Sequence, residues 1–287
     1  MGPEDTDDRA HRAYWGRTMR AALRFMRAVR AHPVEECGER LVSLPEAVPR
    51  MRDAGVIFST TLLAGTHERL FYLREGLIAD FLAVAREMNA RGWVLRVEDG
   101  YRTREMQRAL GRGEAFDAVL RKVLWERGGD PPTPEGMRER LSALIATCPK
   151  IGTHMSGSAV DISVLRREDG AKVDRGAPYL EMSERTPMRS PFVAETARKK
   201  RREITAIFRR QGFAAYPYEF WHYSKGDAFE ARIRRSSAPA RYGAVEWDPA
   251  TGETTAMEAP QEPLHSDEEI RRRIERALVL LRERPQG

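Results

Sequence analysis

The sequence predicts an α+β fold in which a small, mostly antiparallel sheet is flanked by helices, with an additional helix at each end of the chain. Short runs of β-type side chains, such as residues 56–63 and 93–98, alternate with longer segments whose apolar residues recur at helical spacing. Residues 159–164 alternate aliphatic side chains with small or acidic ones, as expected for a strand with two different faces. A chain of 287 residues can bury a substantial core, either as one large domain or as one domain with appendages.

Four segments carry the apolar periodicity of an amphipathic helix. They are residues 9–31, 68–91, 198–210 and 267–284. The stripe of the first helix consists of Trp15, Met19, Leu23, Met26 and Val29. This stripe fits a membrane or partner helix, but packing on the main domain is the favoured interpretation.

Composition divides the chain into three parts. Residues 1–50 are predicted to be an N-terminal helical extension, and residues 51–235 the main domain. Residues 236–287 are predicted to be a flexible connection followed by a C-terminal helix, because Ser, Pro, Gly and Thr dominate up to about residue 265.

The main domain contains a charged insertion at residues 112–150. The sequence Gly-Gly-Asp-Pro-Pro at 128–132 separates two helical pieces, 114–127 and 133–146. A lid or flank over a cleft and a plain two-helix excursion both fit this pattern.

Two short stretches contain the side chains of a metal site. Residues 153–161 read Thr-His-Met-Ser-Gly-Ser-Ala-Val-Asp, and residues 219–222 read Glu-Phe-Trp-His. Two imidazoles, one carboxylate ligand and a spare carboxylate match a catalytic zinc site, which has three protein ligands, an open position and a nearby base. The predicted zinc ligands are His154, Asp161 and His222. Glu219 is predicted to activate the water.

The local pattern indicates how these side chains meet. In a strand, Asp161 points away from its aliphatic neighbours and into a cleft. Gly157 removes a side chain where the backbone turns toward the metal. Glu219 and His222 would face opposite ways in a regular strand, so the chain must turn between them. The Tyr-Pro-Tyr sequence at 216–218 favours such an irregular entry.

Each motif is weak alone, but the pair is much stronger. The chain has only six histidines, and two of them lie in strand-like runs with an acidic residue at a usable spacing. His67 has no partner at a suitable spacing, so it is expected to be a helix cap or a surface residue.

The two stretches together resemble the zinc D-alanyl-D-alanine dipeptidase and carboxypeptidase family. The family pattern is Ser-x-His-x-x-Gly-x-Ala-x-Asp followed by Glu-x-x-His. Residues 99–102, Asp-Gly-Tyr-Arg, resemble the family's upstream Tyr-Arg element. The resemblance spans residues 71–224, and its three motifs occur in the family's order.

The resemblance implies a peptidase fold of the hedgehog-like type and makes residues 51–235 the metallopeptidase domain. By position it implies Zn²⁺ bound by His154, Asp161 and His222. It also implies Glu219 as the base and Arg102 as the group that steadies the oxyanion. The implied partner is a small peptide, either D-Ala-D-Ala or a peptidoglycan stem peptide.

Two positions depart from the family pattern. The family's first serine is Gly152 here, and that serine helps to hold the substrate carboxylate in the dipeptidases. Leu180, beside Glu181, stands where an aspartate for the substrate's free amine is expected.

Cytoplasmic D,D-dipeptidase activity is the primary prediction. D,D- or L,D-carboxypeptidase action on longer peptidoglycan peptides and an inactive binding module are the alternatives. Non-haem iron oxygenases are disfavoured because their His-x-Asp spacing is absent.

Charge, cysteine content and apolar runs indicate the expected partners and cellular location. The net charge of +6 and the basic run at 198–202 can suit an anionic partner, but apolar residues on the same helix make nucleic acid an unlikely one. Cys37 and Cys148 lie in no CxxC pattern and are expected to be reduced thiols. No apolar run approaches ~18 residues and no signal peptide is recognisable, so no membrane span is expected and the cytoplasm is the expected location.

Overall fold

The computed structural model describes residues 3–48 and 55–283, and this part of the chain has an α+β fold, as predicted. Its strands are β1 (Leu41–Ser43), β2 (Val56–Phe58), β3 (Tyr72–Arg74), β4 (Trp93–Asp99), β5 (Ala159–Arg166), β6 (Ala214–Ala215), β7 (His222–Ser224), β8 (Val245–Trp247) and β9 (Thr254–Ala256). Its α-helices are α1 (Pro3–Ala31), α2 (Leu44–Ala47), α3 (Ile78–Ala90), α4 (Arg104–Leu110), α5 (Glu114–Glu126), α6 (Pro134–Ser142), α7 (Glu195–Arg210), α8 (Ala228–Arg234) and α9 (Asp267–Glu283).

Five strands form the central sheet, in the order β2-β4-β5-β7-β6. The β2–β4 pairing is parallel, whereas the other three pairings in this sheet are antiparallel. The prediction of a small, mostly antiparallel sheet is therefore confirmed. Two smaller antiparallel pairs, β1–β3 and β8–β9, lie outside this sheet.

The main core lies between the central sheet and helices α3 and α7. Phe81 of α3 and Phe208 of α7 are fully buried in the same apolar cluster as Val160 and Ile162 of β5. The ring of Phe208 stacks on that of Tyr223 with 3.9 Å between centroids. Val160, Ile162 and Val164 are all buried, so the aliphatic set of this strand faces the core, as the alternation predicted.

A second core holds the helices at both ends of the chain. Trp15 and Met19 of α1 pack in one cluster with Phe116 of α5 and Ile274 of α9. The predicted docking of the first helix on the main domain is confirmed. The insertion forms α5 and α6, close to the two predicted pieces.

The predicted helix over residues 68–91 is wrong in its first part. Residues 72–74 form strand β3, which pairs with β1, and helix α3 begins only at Ile78. Leu73 and Arg74 are fully buried there, and Arg74 donates from Nε to Ser156 O at 2.6 Å. Apolar residues at 70, 73 and 77 match helical spacing, but the strand partner and this buried arginine override the local pattern.

The predicted loose packing of residues 236–265 is also wrong. This segment contains the β8–β9 hairpin, and Val245 and Leu264 are buried. Tyr101 donates its hydroxyl to Val245 O at 2.8 Å. Because these partners are far away in sequence, polar composition alone could not indicate them. The proposed domain boundaries stay predictions.

Within residues 3–48 and 55–283, no helix is both long and apolar enough to span a bilayer.

We expect Phe208→Ala to lower the free energy of unfolding by about 3–5 kcal/mol, because it empties a fully buried site and removes the stack on Tyr223. Urea denaturation measures the change. Lys199→Ala, at an exposed position of the same helix, is the matched control and should shift stability by less than about 0.5 kcal/mol. Equal effects of the two changes would contradict this account of the core.

Candidate metal centre

The register of two neighbouring strands brings the predicted ligands together. Asp161 of β5 lies opposite His222 of β7, and Asp99 of β4 lies opposite Asp161 on the other side. His154 lies in the turn that precedes β5. That turn depends on Gly157, whose φ is +66° and whose missing Cβ leaves room for the Leu41 side chain.

The three predicted ligands form one buried cluster. Their ligating atoms all lie within 4.8 Å of one another. Asp161 Oδ1 lies 3.2 Å from His154 Nε2 and 2.9 Å from His222 Nδ1. The side chains are almost fully enclosed, with exposed fractions of 5%, 2% and 5% for His154, Asp161 and His222.

The donor atoms fit a divalent metal. His154 Nδ1 lies 2.6 Å from Gly100 O, so this nitrogen carries the proton and Nε2 is left with its lone pair. His154 Nε2 is buried without a hydrogen-bond partner, although it faces Asp161. Burial and then the charge of Arg102 lower the pKa of His154, which favours the neutral imidazole that a metal requires. Two nitrogens and one carboxylate oxygen match a catalytic zinc site.

The second imidazole is oriented by a threonine that the sequence reasoning missed. His222 Nε2 lies 2.9 Å from Thr153 Oγ1, which leaves Nδ1 on the Asp161 side. A metal-ligating histidine usually donates its other N–H to such a partner. The only sequence signal was the position of Thr153 directly before His154.

Asp161 remains ionised in this enclosed position. Burial raises the pKa of Asp161, but the imidazoles of His154 and His222, which both face Oδ1, hold that pKa well below its ordinary value. The other carboxylate oxygen, Oδ2, accepts a hydrogen bond from Tyr179 at 3.0 Å and lies 3.3 Å from Arg102 Nη2. The sequence analysis did not assign Tyr179 to the site.

Arg102 lies at the site, as predicted, and is held from several sides. Its Nε donates to Asp99 Oδ2 at 2.8 Å and its Nη1 to Gln107 Oε1 at 3.2 Å. Burial lowers the pKa of Arg102, but the charges of Asp99 and Asp161 outweigh burial and raise that pKa above its usual value. The guanidinium is therefore a fixed cation beside the cluster.

Glu219 lines the same cavity as the three ligands. Its N–H donates to Tyr216 O and its C=O accepts from His222 N, both at 3.4 Å, so the chain turns between Glu219 and His222, as the sequence required. Burial, and then the charge of Asp161, raise the pKa of Glu219 well above its ordinary value.

Arg175 was also missed, and it connects the strand to this turn. Its Nη2 donates to Ile162 O at 2.7 Å and its Nη1 to Phe220 O at 3.4 Å. It therefore links the residue after Asp161 to the residue after Glu219. The residues around Arg175 in the sequence contain no motif that indicates this role.

The cavity at the cluster has a volume of about 60 Å³, and the insertion forms part of its wall. Residues 142–146 line it together with Leu180 and Met182. Among the described lining residues, the carboxylates are Asp161 and Glu219 and the only cation is Arg102.

We expect Thr153→Val to weaken binding of a divalent metal, measured with Zn²⁺, by about 10–100-fold, because the isosteric side chain removes the acceptor for His222 Nε2. Competition with a chromogenic chelator measures the affinity. Thr153→Ser keeps the hydroxyl and should bind zinc nearly as the wild type does. Wild-type affinity in the valine variant would show that Thr153 does not orient His222.

Parts of this chain are similar to known proteins. Residues 133–239 match the model of the family described as D-ala-D-ala dipeptidase. A D-alanyl-D-alanine dipeptidase from Enterococcus faecium is 32% identical over 71 residues, which cover 25% of this chain and 35% of the relative. A D-alanyl-D-alanine dipeptidase from Escherichia coli (strain K12) is 37% identical over 70 residues, covering 24% and 36%. One from Enterococcus faecalis (strain ATCC 700802 / V583) is 28% identical over 71 residues, covering 25% and 35%.

The chain thus spans about a third of the length of the curated relatives that it matches. The matched family segment contains all three candidate ligands and Glu219. The resemblance predicted from the motifs is confirmed, because residues 133–239 are similar to the D-ala-D-ala dipeptidase family.

Proposed function

We propose that this protein is a zinc-dependent peptidase that hydrolyses a D-Ala-D-Ala-type peptide bond. The observation that carries the proposal is the convergence of His154, Asp161, His222 and Glu219 on one buried cavity. The segment that contains them matches the D-ala-D-ala dipeptidase family model.

His154, Asp161 and His222 would hold the ion through two nitrogens and one oxygen. Bound zinc would polarise the scissile carbonyl and make the attacking water more acidic. Glu219 takes the proton of that water and later delivers it to the leaving amine. Its raised pKa suits both steps, because a carboxyl group that protonates closer to neutral pH is both a better base and a usable acid.

Arg102 supplies positive charge for the oxygen that becomes negative during attack. Because Asp99 and Gln107 already fix the guanidinium, little reorganisation is needed when that charge develops. Tyr179 and Arg102 engage Oδ2 of Asp161, which leaves Oδ1 facing the two histidines.

The cavity at the metal cluster is small, at about 60 Å³. It therefore favours a substrate with small side chains next to the scissile bond, as in a peptide of alanine residues.

Carboxypeptidase action on a longer peptidoglycan peptide is the second candidate, and a specific observation favours it. Among the described residues that line the cavity, none offers a third carboxylate for a free ammonium group, and Leu180 lies where that group is expected. A substrate whose amine is already acylated needs no such partner.

We expect Glu219→Gln to keep its zinc and to lower kcat by about 10²–10⁴-fold, because the general base is lost. The assay compares free D-Ala-D-Ala, an N-acylated peptide ending in D-Ala-D-Ala, and an L,D-peptide. Glu195→Gln, at an exposed position on α7, is the control and should keep wild-type turnover.

The substrates separate the candidates. Turnover of the free dipeptide alone supports the dipeptidase, whereas preference for the acylated peptide supports the carboxypeptidase. Bound zinc without hydrolysis of any of the three would favour an inactive binding module. Full activity of Glu219→Gln would remove Glu219 as the base.

The pH dependence follows from the same carboxyl group. Glu219 must be ionised to accept a proton, and its pKa is raised above 4.5 by burial and Asp161. We therefore expect kcat/KM to fall as the pH falls, with the midpoint of this limb above 4.5. Zinc content measured over the same pH range shows whether kcat/KM falls because Glu219 is protonated or because the metal is lost. A midpoint at or below 4.5 with zinc retained would contradict the assignment.

A further inference from the structure

A large groove lies outside the metal centre. It has a volume of about 740 Å³ and is formed by α1, α7, β6, the end of α8 and the segment around Met188. It shares no lining residue with the metal cavity. Its size is within the ~300–1,000 Å³ that is typical of ligand sites.

The charges around this groove have one sign. Arg17, Arg189 and Arg209 are exposed and line it, and within the described ranges none of them forms an ion pair with a carboxylate. No aspartate or glutamate is among the described lining residues. Many other surface arginines of this chain do have acidic partners, for example Arg210 with Glu87. The groove therefore attracts an anionic ligand.

The floor of the groove is largely apolar. Met188, Phe213 and Pro217 line it, and Ile233 at its edge has an exposed fraction of 37%. A purely polar anion would leave this surface without a partner. The combination of an apolar floor and arginines favours a ligand that carries both carboxylates and apolar side chains.

One wall of the groove is the outer edge of the central sheet, which is unpaired at Ala215, whereas Pro217 O accepts from Met188 N at 3.0 Å. β6 is the last strand of the central sheet, and no described strand lies on its outer side. Ala215 lies opposite Tyr223, whereas the next residue, Tyr216, donates its N–H to His222 O at 3.0 Å. Because hydrogen-bonded and non-hydrogen-bonded pairs alternate in antiparallel ladders, the N–H and C=O of Ala215 point away from β7. Such groups can pair with an added strand.

We propose that this groove binds an acidic peptide in an extended conformation, which adds to the edge of β6 while its apolar side chains cover the floor. The free edge favours a peptide over a lipid, because a lipid has no backbone to pair with Ala215. Tyr14 and Tyr218 also line the groove, but the outward C=O of Ala215 favours a peptide over a nucleic acid, because a phosphodiester backbone has no N–H to donate to it. Pro217 and Tyr218 line the groove and directly precede Glu219, so the bound peptide contacts the segment that carries the proposed base.

The test is fluorescence anisotropy of the full chain with a labelled, N-acetylated peptide of alternating leucine and glutamate. Binding should weaken as NaCl is raised. It should weaken by about tenfold or more when lysine replaces each glutamate, or when serine replaces each leucine. Equal binding of the lysine peptide would overturn the proposal.

Charge reversal locates the site. The triple variant Arg17→Glu, Arg189→Glu, Arg209→Glu should bind the peptide about tenfold or more weakly. The matched control is Arg121→Glu, Arg167→Glu, Arg276→Glu, at three exposed arginines outside the groove, and it should bind within about twofold of wild type. Circular dichroism confirms that both variants fold. An equal loss of peptide affinity in the two variants would mean that binding depends on the net charge of the protein and not on this groove.

Two further probes test the mode of binding. Peptides that are N-methylated on alternate residues lose one or the other set of backbone donors, and one of the two should bind about tenfold more weakly if strand addition occurs. Unchanged binding of both would overturn the pairing with β6. Binding of phosphatidylglycerol vesicles or of oligo-dT that is lost in the groove variant, without binding of the acidic peptide, would assign the groove to another class of ligand and overturn the proposal.

Discussion

The rest of the site depends on one buried negative charge, the carboxylate of Asp161. An ionised carboxylate away from water is costly unless opposite charges and hydrogen bonds surround it. Here two imidazoles face one oxygen, and a tyrosine hydroxyl and the Arg102 guanidinium face the other. Three of these partners are themselves held in place, His154 by Gly100 O, His222 by Thr153 Oγ1 and Arg102 by Asp99. These contacts orient the candidate ligand side chains.

Two buried arginines extend this support to the turn that carries Glu219. Arg175 and Arg201 both lie against the ring of Phe220, with Cζ 4.7 Å and 4.0 Å from its centroid. Arg201 bonds to the carbonyls of Arg175, Pro187 and Arg185. Burial lowers the pKa of each arginine to about 10, so both remain cationic at neutral pH. Their hydrogen bonds connect the irregular segment around residues 175–187, which precedes α7, to β5 and to the turn that carries Glu219.

Helix α1 and the insertion form parts of the cavity walls described above. Met26 of α1 lines the metal cavity, while Tyr14 and Arg17 of the same helix line the large groove beside β6. The insertion supplies residues 142–146 to the wall of the cavity. Of the two interpretations of the insertion, a flank over the cleft therefore agrees with the structure.

The sequence by itself determined what local patterns can encode. Alternation along residues 159–164 indicated which face of β5 is buried, helical periodicity located α1, α7 and α9, and the two motifs identified four side chains that share one cavity. Only the tertiary structure decided the strand at 72–74, the packed β8–β9 hairpin and the supporting roles of Thr153, Tyr179 and Arg175. The physical reason is that periodicity records the environment of a residue along its own element. Contacts between segments far apart in sequence decide the rest. They determine which strands pair, which carbonyls accept from a buried arginine, and which charges around a groove have no partner.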